Sequence, residues 1–190
     1  MAKFIIEGGH PLHGRVRVSG MKNAATPILA ATLLTDELCT LENVPRIRDV
    51  ERMIEILQSL GAVVTWTGDH TLTVHAKDIQ LSTLDTKAVG AMRSSILLLG
   101  PLVARLHEVT LPEPGGCIIG NRPIDAHITA LEQLGATVER TNGAYHVTAP
   151  TLRGSTVILP EFSVTATENL LMAAVLAEGN DSRLTRRTWG

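Results

Sequence analysis

The sequence predicts an α/β fold built from repeats: two complete units and the opening of a third, with helices inside and sheets outside. Three observations carry this. Helix-like apolar segments begin at Lys22-Asn23-Ala24-Ala25, at Arg93-Ser94-Ser95 and at Thr165-Ala166-Thr167-Glu168, in steps of 71 and 72 residues. A second kind of helix ends at Leu60-Gly61-Ala62 and again at Leu134-Gly135-Ala136, 74 residues on; self-similarity at a fixed period marks a repeat architecture. The first kind of helix is apolar nearly all round, and a helix without a polar face belongs in an interior.

Taken along the chain, residues 24–34, 94–106 and 166–177 are these interior helices. A strand over residues 38–41 follows the first, with Cys39 read as a small buried hydrophobe. The outer helices are amphipathic. Val50, Met53, Ile54, Leu57 and Leu60 form one apolar stripe, and Ile124, Ile128, Leu131 and Leu134 form the other. Gly61 and Gly135 stand where a left-handed residue closes a helix. Each outer helix leads into an alternating hairpin. The first is 62–67 and 71–76 around Gly68-Asp69; the second is 137–141 and 145–149 around Asn142-Gly143. Asn-Gly is a strong hairpin signal because a type I′ turn needs positive φ at both central positions. After Gly179 the text is polar, basic and without period where the repeat calls for a strand and an outer helix, so residues 180–190 are expected to be a disordered tail.

Composition narrows the class. The 190 residues suit one domain with a sizeable core. A hydrophobic content of 44% and a charged content of 19% are those of an ordinary globule, and with aromatics at 3% the core must be aliphatic. A net charge of -2 argues against a basic nucleic-acid surface. No apolar run approaches the roughly 20 residues of a membrane span, and no signal-peptide pattern opens the chain. Two cysteines make no disulfide framework. A cytoplasmic location is the expectation.

Three loops carry the chemistry. Lys22 and Asn23 open an apolar helix, where a cation is unfavourable unless an anion sits between it and the helix N–H groups; the alternative is a lysine reaching to solvent. Arg93 repeats the arrangement one unit later, and a guanidinium binds phosphate or carboxylate bidentately; the alternative is a surface arginine. Two basic helix starts at one phase of a repeat suggest convergence on one anion. The third loop, residues 111–125, holds Pro112, Pro114, Gly115, Gly116 and Gly120 around Cys117, and then Arg122-Pro123. A long irregular loop in a compact domain is commonly functional, and a thiol near cations can act as acid or nucleophile. Pro123 suits a first helical position. Ser163 and Thr165 are available to cap the third interior helix. The seven histidines show no ligand spacing, so no metal site is expected.

The segments Ser19-Gly20-Met21-Lys22-Asn23-Ala24-Ala25, Met92-Arg93-Ser94-Ser95, residues 115–125 and Leu131-Glu132-Gln133-Leu134-Gly135-Ala136-Thr137 closely resemble the enolpyruvyl transferase family, in its UDP-N-acetylglucosamine branch. The resemblance runs from about Lys3 to Gly179. It implies an inside-out α/β barrel domain built from βαβαββ repeats, of which this chain holds roughly the N-terminal half of a two-domain protein. On that reading residues 1–20 are N-terminal strands that pack with the other domain, 21–179 are a catalytic domain whose third repeat is incomplete, and 180–190 are the tail.

The implied activity moves the enolpyruvyl group of phosphoenolpyruvate to the 3-hydroxyl of UDP-N-acetylglucosamine, the first committed step of bacterial peptidoglycan synthesis, without cofactor or metal. Carried over by residue, Lys22 and Asn23 bind phosphoenolpyruvate. Arg93 and Arg122 hold the anionic substrates. Cys117 is the proton donor, forms a covalent phosphoenolpyruvate adduct and is the residue that fosfomycin alkylates. Arg122, Pro123, Ile124, Asp125 and Ala126 line the uridine nucleotide, and Ser163 and Val164 its diphosphate side. Met21 stands where the family usually has a small residue, and Glu161 where some members have a basic one. The family's general base, an aspartate, belongs to the other half. Little activity is therefore expected of this chain alone, and the alternative is a non-catalytic nucleotide-sugar-binding fragment or an inert homologue. Its small-molecule partners are phosphoenolpyruvate and UDP-N-acetylglucosamine, with self-association expected through exposed apolar surface.

Overall fold

The computed structural model describes residues 3–11, 13–115 and 123–179, and the backbone of 183–185. The repeat is plain in the strands. In the first unit β1 (Leu38–Leu41), β2 (Val63–Trp66) and β3 (Leu72–His75) form an antiparallel sheet in the order β1-β3-β2. In the second, β4 (Glu108–Pro112), β5 (Thr137–Thr141) and β6 (Ala144–Thr148) form an antiparallel sheet in the order β4-β6-β5. The centres of the two hairpins correspond, with Val64 opposite Val74 and Val138 opposite Val147. In the second hairpin Asn142 and Gly143 both take positive φ, 53° and 74°, as a type I′ turn requires. The described sheets are separate, so the helices are flanked by sheets rather than enclosed by one closed barrel.

Between the strands lie two classes of helix. The outer helices are α2 (Arg48–Ser59) and α5 (Asp125–Gln133). On α2 the predicted stripe is the buried one: Val50, Met53, Ile54, Leu57 and the following Leu60. On α5 the buried face is Ile124, His127, Ala130, Leu131 and Leu134, with Ile128 half-buried at its margin. Gly61 and Gly135 close these helices at φ of 101° and 96°, and at Gly61 a Cβ would also sit 2.5 Å from the Asp78 carbonyl oxygen. An L side chain is strained in that conformation, which is why glycine stands there.

The interior helices are α1 (Lys22–Ala31), α4 (Leu99–Leu106) and α6 (Val164–Ala174). Only α4 is interior in the full sense, since every residue from Leu99 to Ala104 is buried. α1 leaves Ile28 exposed, and α6 leaves Val164 and Leu171 exposed. Apolar composition all round thus overstates their burial: α6 is covered by α4 and α5, and α1 by α2. The segment expected as one helix over 94–106 divides into a 3₁₀ stretch, Arg93–Leu98, and then α4. Pro101 fits the boundary. It lacks the N–H that an interior helical position uses and suits a first turn, which is where α4, starting at Leu99, holds it. A short helix, α3 (Thr86–Gly90), was not anticipated; the Asp85 carboxylate caps it by accepting the Lys87 and Ala88 N–H groups, both at 3.0 Å.

The units are cross-braced. Arg105, at the end of α4, donates to four carbonyls of the first unit: Leu33 at 2.9 Å, Thr35 at 3.2 Å, Ala76 at 2.5 Å and Lys77 at 2.8 Å. The third unit opens with β7 (Thr156–Ile158) before α6. β8 (Arg183–Thr185) pairs with β7 in parallel. This strand corrects the expectation of a disordered tail over residues 180–190: backbone pairing on a free sheet edge needs no apolar period in the added strand. The rest of the tail, 180–182 and 186–190, lies outside the described residues. Residues 3–11 and 13–20 form neither helix nor strand, and Phe4, Ile5, Ile6, Val16 and Val18 are exposed. Cys39 is half-buried on β1 rather than buried, its thiol 3.8 Å from the Glu37 carbonyl. Among the described residues no helix is long and apolar enough to cross a membrane.

Candidate functional site

An open cleft of about 1250 Å³ collects the starts of α1, of α6 and of the 3₁₀ stretch that leads into α4. Lys22 and Asn23 of α1, Arg93 and Ser94 of the 3₁₀ stretch, and Ser163 and Val164 of α6 line it, with Pro123 and His127 from the α5 side. Residues dispersed over 140 positions of sequence thus meet because each opens the same element of a repeated unit.

Each start is held by a hydrogen bond between a side chain and the backbone. Met21 before α1 is extended and provides no side-chain cap. Instead the preceding Gly20 N–H donates to Asn43 Oδ1 at 3.1 Å, while Asn43 itself sits at φ 56°. A Cβ on Gly20 would lie 1.8 Å from the Asn43 carbonyl oxygen, so only glycine allows that approach. Before the Arg93 stretch, the buried Ser95 hydroxyl is within hydrogen-bond reach of the Val89 and Met92 carbonyls, at 2.8 and 2.6 Å, and pins the turn that presents Arg93. At α6 the Ser163 side chain accepts the Ala166 N–H at 3.2 Å, the N-cap expected from the sequence.

The cleft is electrostatically mixed. Lys22, Arg48, Arg52 and Arg93 face it, and so do Asp49, Glu161 and Glu168. Lys22 Nζ is 2.7 Å from Asp49 Oδ2, both side chains being partly exposed. Arg52 donates to the Ala91 carbonyl at 3.3 Å, tying α2 to the turn before Arg93. Burial raises the Glu168 carboxyl above its usual range. Arg48 and Arg52 were missed by sequence reasoning. Their signal was available: they lie one turn apart on α2, off its apolar stripe.

One wall is a buried polar network. Asn169 of α6 accepts the Gly100 N–H on Oδ1 at 2.8 Å and donates from Nδ2 to the Ile96 carbonyl at 2.7 Å. These two backbone groups fix the amide's orientation, so Nδ2 is also the donor to His127 Nδ1 at 2.8 Å. His127 Nδ1 is therefore an acceptor and its Nε2 carries the proton, which is donated to Thr165 Oγ1 at 3.0 Å. Burial, and then the positive charge of Arg93, lower the His127 pKa to about 4, so the ring is neutral at pH 7. His127 could have been found from the sequence, since it falls on the buried face of α5 between Ile124 and Leu131.

The remaining sequence-predicted residues separate. Ile124 and Ala126 are buried in the core beside the cleft, and Asp125 is exposed at the first position of α5; none of the three lines the cleft. Cys117 and Arg122 lie outside the described residues. The start of their loop is described. The Glu113 N–H donates to the Gly143 carbonyl at 2.9 Å, Arg140 Nε donates to Glu113 Oε1 at 2.6 Å, and a Cβ on Gly115 would fall 1.6 Å from the Gly90 carbonyl oxygen. Among the described residues no three His, Cys, Asp or Glu side chains are grouped to hold a metal ion.

Comparison with known proteins bears on this geometry. The family model described as EPSP synthase (3-phosphoshikimate 1-carboxyvinyltransferase) matches residues 6–188. The chain is 54% identical over 177 residues to a UDP-N-acetylglucosamine 1-carboxyvinyltransferase of Bradyrhizobium diazoefficiens, covering 93% of this chain and 41% of that protein. It is 48% identical over 179 residues to UDP-N-acetylglucosamine 1-carboxyvinyltransferase 2 of Carboxydothermus hydrogenoformans, covering 94% and 42%. The chain thus spans about two fifths of the length of these relatives. Among solved structures, it resembles the enolpyruvyl transferase NikO from Streptomyces tendae at a TM-score of 0.75 and 25% identity, over 90% of this chain and 40% of that one. It shares its fold with an EPSP synthase from Acinetobacter baumannii at a TM-score of 0.72 and 19% identity, over 93% of this chain and 41% of that one.

Proposed function

This chain belongs to the EPSP synthase family of carboxyvinyltransferases, and from that membership we propose that it forms the N-terminal half-site of an enzyme that transfers the enolpyruvyl group of phosphoenolpyruvate to the 3-hydroxyl of UDP-N-acetylglucosamine. The observation that carries the reading is the meeting of Lys22, Asn23, Arg93, Pro123, Ser163 and Val164 on one cleft. Its substrate assignment is supported by relatives of that name at 54% and 48% identity.

The chemistry follows from the groups. A proton is delivered to the methylene carbon of phosphoenolpyruvate, and the sugar hydroxyl, losing its own proton to a base, bonds to the adjacent carbon. The methyl carbon then gives up a proton as phosphate departs, leaving the enol ether. Cys117 is the proton donor in this scheme. Lys22, Arg93 and Arg122 stabilise charge on the phosphate and carboxylate, a task that preorganised cations perform better than water that must reorient. Asn23 orients the phosphoenolpyruvate, Ser163 and Val164 face the diphosphate, and Pro123 borders the nucleotide. The base belongs, on the family pattern, to the second half of the protein, so this chain binds substrates and forms the Cys117 adduct with little turnover.

The test is titration calorimetry with UDP-N-acetylglucosamine, together with intact-mass analysis after incubation with phosphoenolpyruvate. Binding that weakens in Arg93→Ala, and an adduct that is lost in Cys117→Ser, are expected. A chain that neither binds the nucleotide sugar nor acquires an adduct refutes the proposal.

A further inference from the structure

The polar wall of the cleft contains a hydroxyl whose direction is set. Thr165 Oγ1 accepts the Nε2–H of His127 at 3.0 Å. That proton's position is itself dictated, through Asn169, by the Gly100 N–H and the Ile96 carbonyl. A threonine hydroxyl offers one donor and two acceptor sites. With an acceptor site filled by a histidine that has no second proton to exchange, its own O–H must donate elsewhere. The Thr165 hydroxyl makes no other hydrogen bond among the described residues, and Thr165 lines the cleft. His127, its partner, is buried to within 3% of its surface, so the arrangement is rigid on the protein side and open on the other. Arg93 is close enough to bear electrostatically on His127, which places a guanidinium on the same side of the cleft.

We infer that Thr165 is a specificity-determining donor that hydrogen-bonds a phosphoryl oxygen of the ligand diphosphate, its hydroxyl aimed by the Asn169–His127 relay. A neutral donor suits this place. Glu161 and Glu168 also line the cleft, so a phosphoryl group brought there needs directed N–H and O–H groups as well as the charge of Arg93. His127 and Asn169 are positioning residues in this scheme and touch no ligand. The inference rests on the diphosphate-binding reading of the cleft, and two probes separate the two claims.

The experiment is titration calorimetry of the full 190-residue chain, as wild type, Thr165→Val and Thr165→Ser, against UDP-N-acetylglucosamine and against inorganic pyrophosphate, with thermal melts as a folding control. Valine keeps the shape and removes the hydroxyl; serine keeps the hydroxyl. The expected result is a loss of about tenfold or more in affinity for both probes in Thr165→Val, the loss usual for one hydrogen bond to a charged acceptor, with Thr165→Ser within about twofold of wild type. Equal binding by wild type and Thr165→Val overturns the inference while leaving the proposed function standing. Equal weakening in valine and serine variants also overturns it, because the contribution would then be the methyl group's packing. A wild type that binds pyrophosphate in a Thr165-dependent way but ignores the nucleotide sugar upholds the donor and removes the proposed substrate. A wild type that binds neither probe overturns both.

Discussion

Asn169→Ala isolates the energetic weight of the network behind the cleft. The amide satisfies three groups: the Gly100 N–H in the first turn of α4, the Ile96 carbonyl of the preceding 3₁₀ stretch, and His127 Nδ1. Asn169 has no exposed surface and His127 only 3%, so water has no ready route to replace it. Leaving a buried donor or acceptor without a partner costs about 1–3 kcal/mol. The three losses share one side chain and do not simply add; a total of about 4 kcal/mol is the central expectation. For a domain whose whole stability lies in the range of about 5–15 kcal/mol, that is severe. Urea unfolding followed by far-UV circular dichroism measures it. Asn169→Leu, which restores volume but no polar partner, should be similarly destabilised. A change below about 1 kcal/mol in both variants would refute the claim that these three groups depend on the amide.

Four further outcomes follow from the geometry. The unfolded chain protonates His127 near the ordinary value of 6.5, but the folded chain does so only near 4, so the unfolded state binds more protons between those values. Stability should be complete above pH 6.5 and fall by about 3 kcal/mol as the pH drops towards 4; urea midpoints in His127→Gln should lack that part of the acid slope. Arg105→Met, which abandons four carbonyls of the first unit, should cost about 2–4 kcal/mol, with Arg105→Lys recovering only part because an ammonium lacks the planar fork; equilibrium unfolding reads both. Gly115→Ala, whose Cβ would fall 1.6 Å from the Gly90 carbonyl oxygen, should lower the thermal midpoint by several degrees, since about 1–3 kcal/mol of overpacking is expected. Asp49→Asn removes the carboxylate that competes for Lys22, so affinity for inorganic phosphate should rise by about twofold or more, and a fall in calorimetry would contradict that view of the ion pair.

Much of the architecture was legible because it depends on short-range signals. The stripe on α2, the stop glycines at 61 and 135, and the Asn142-Gly143 turn each follow from a local rule of backbone geometry, and each stands where it was read. Burial of the interior helices was less legible. Apolar composition tells which helix can be covered, while neighbours decide which is, so α4 is enclosed and α6 still shows Leu171. The basic groups on the cleft were readable from Lys22 and Arg93 at one phase of the repeat. Arg48 and Arg52 were not, because on an amphipathic helix a cation that faces solvent and one that faces a cleft look alike. The Asn169–His127–Thr165 relay joins residues 42 and 38 positions apart, and nothing in a linear pattern pairs a lone amide with a lone imidazole.

The contact between Gly20 and Asn43 bears on how such a site can be transplanted or evolve. The lysine-bearing helix takes its register from a loop more than twenty residues downstream, not from a capping side chain of its own. Grafting the peptide that holds Lys22 and Asn23 into another scaffold would copy the letters and lose their aim. Drift at position 43, which does not line the cleft, would be felt as misplacement of a cation, so the two loops form one inherited unit of geometry.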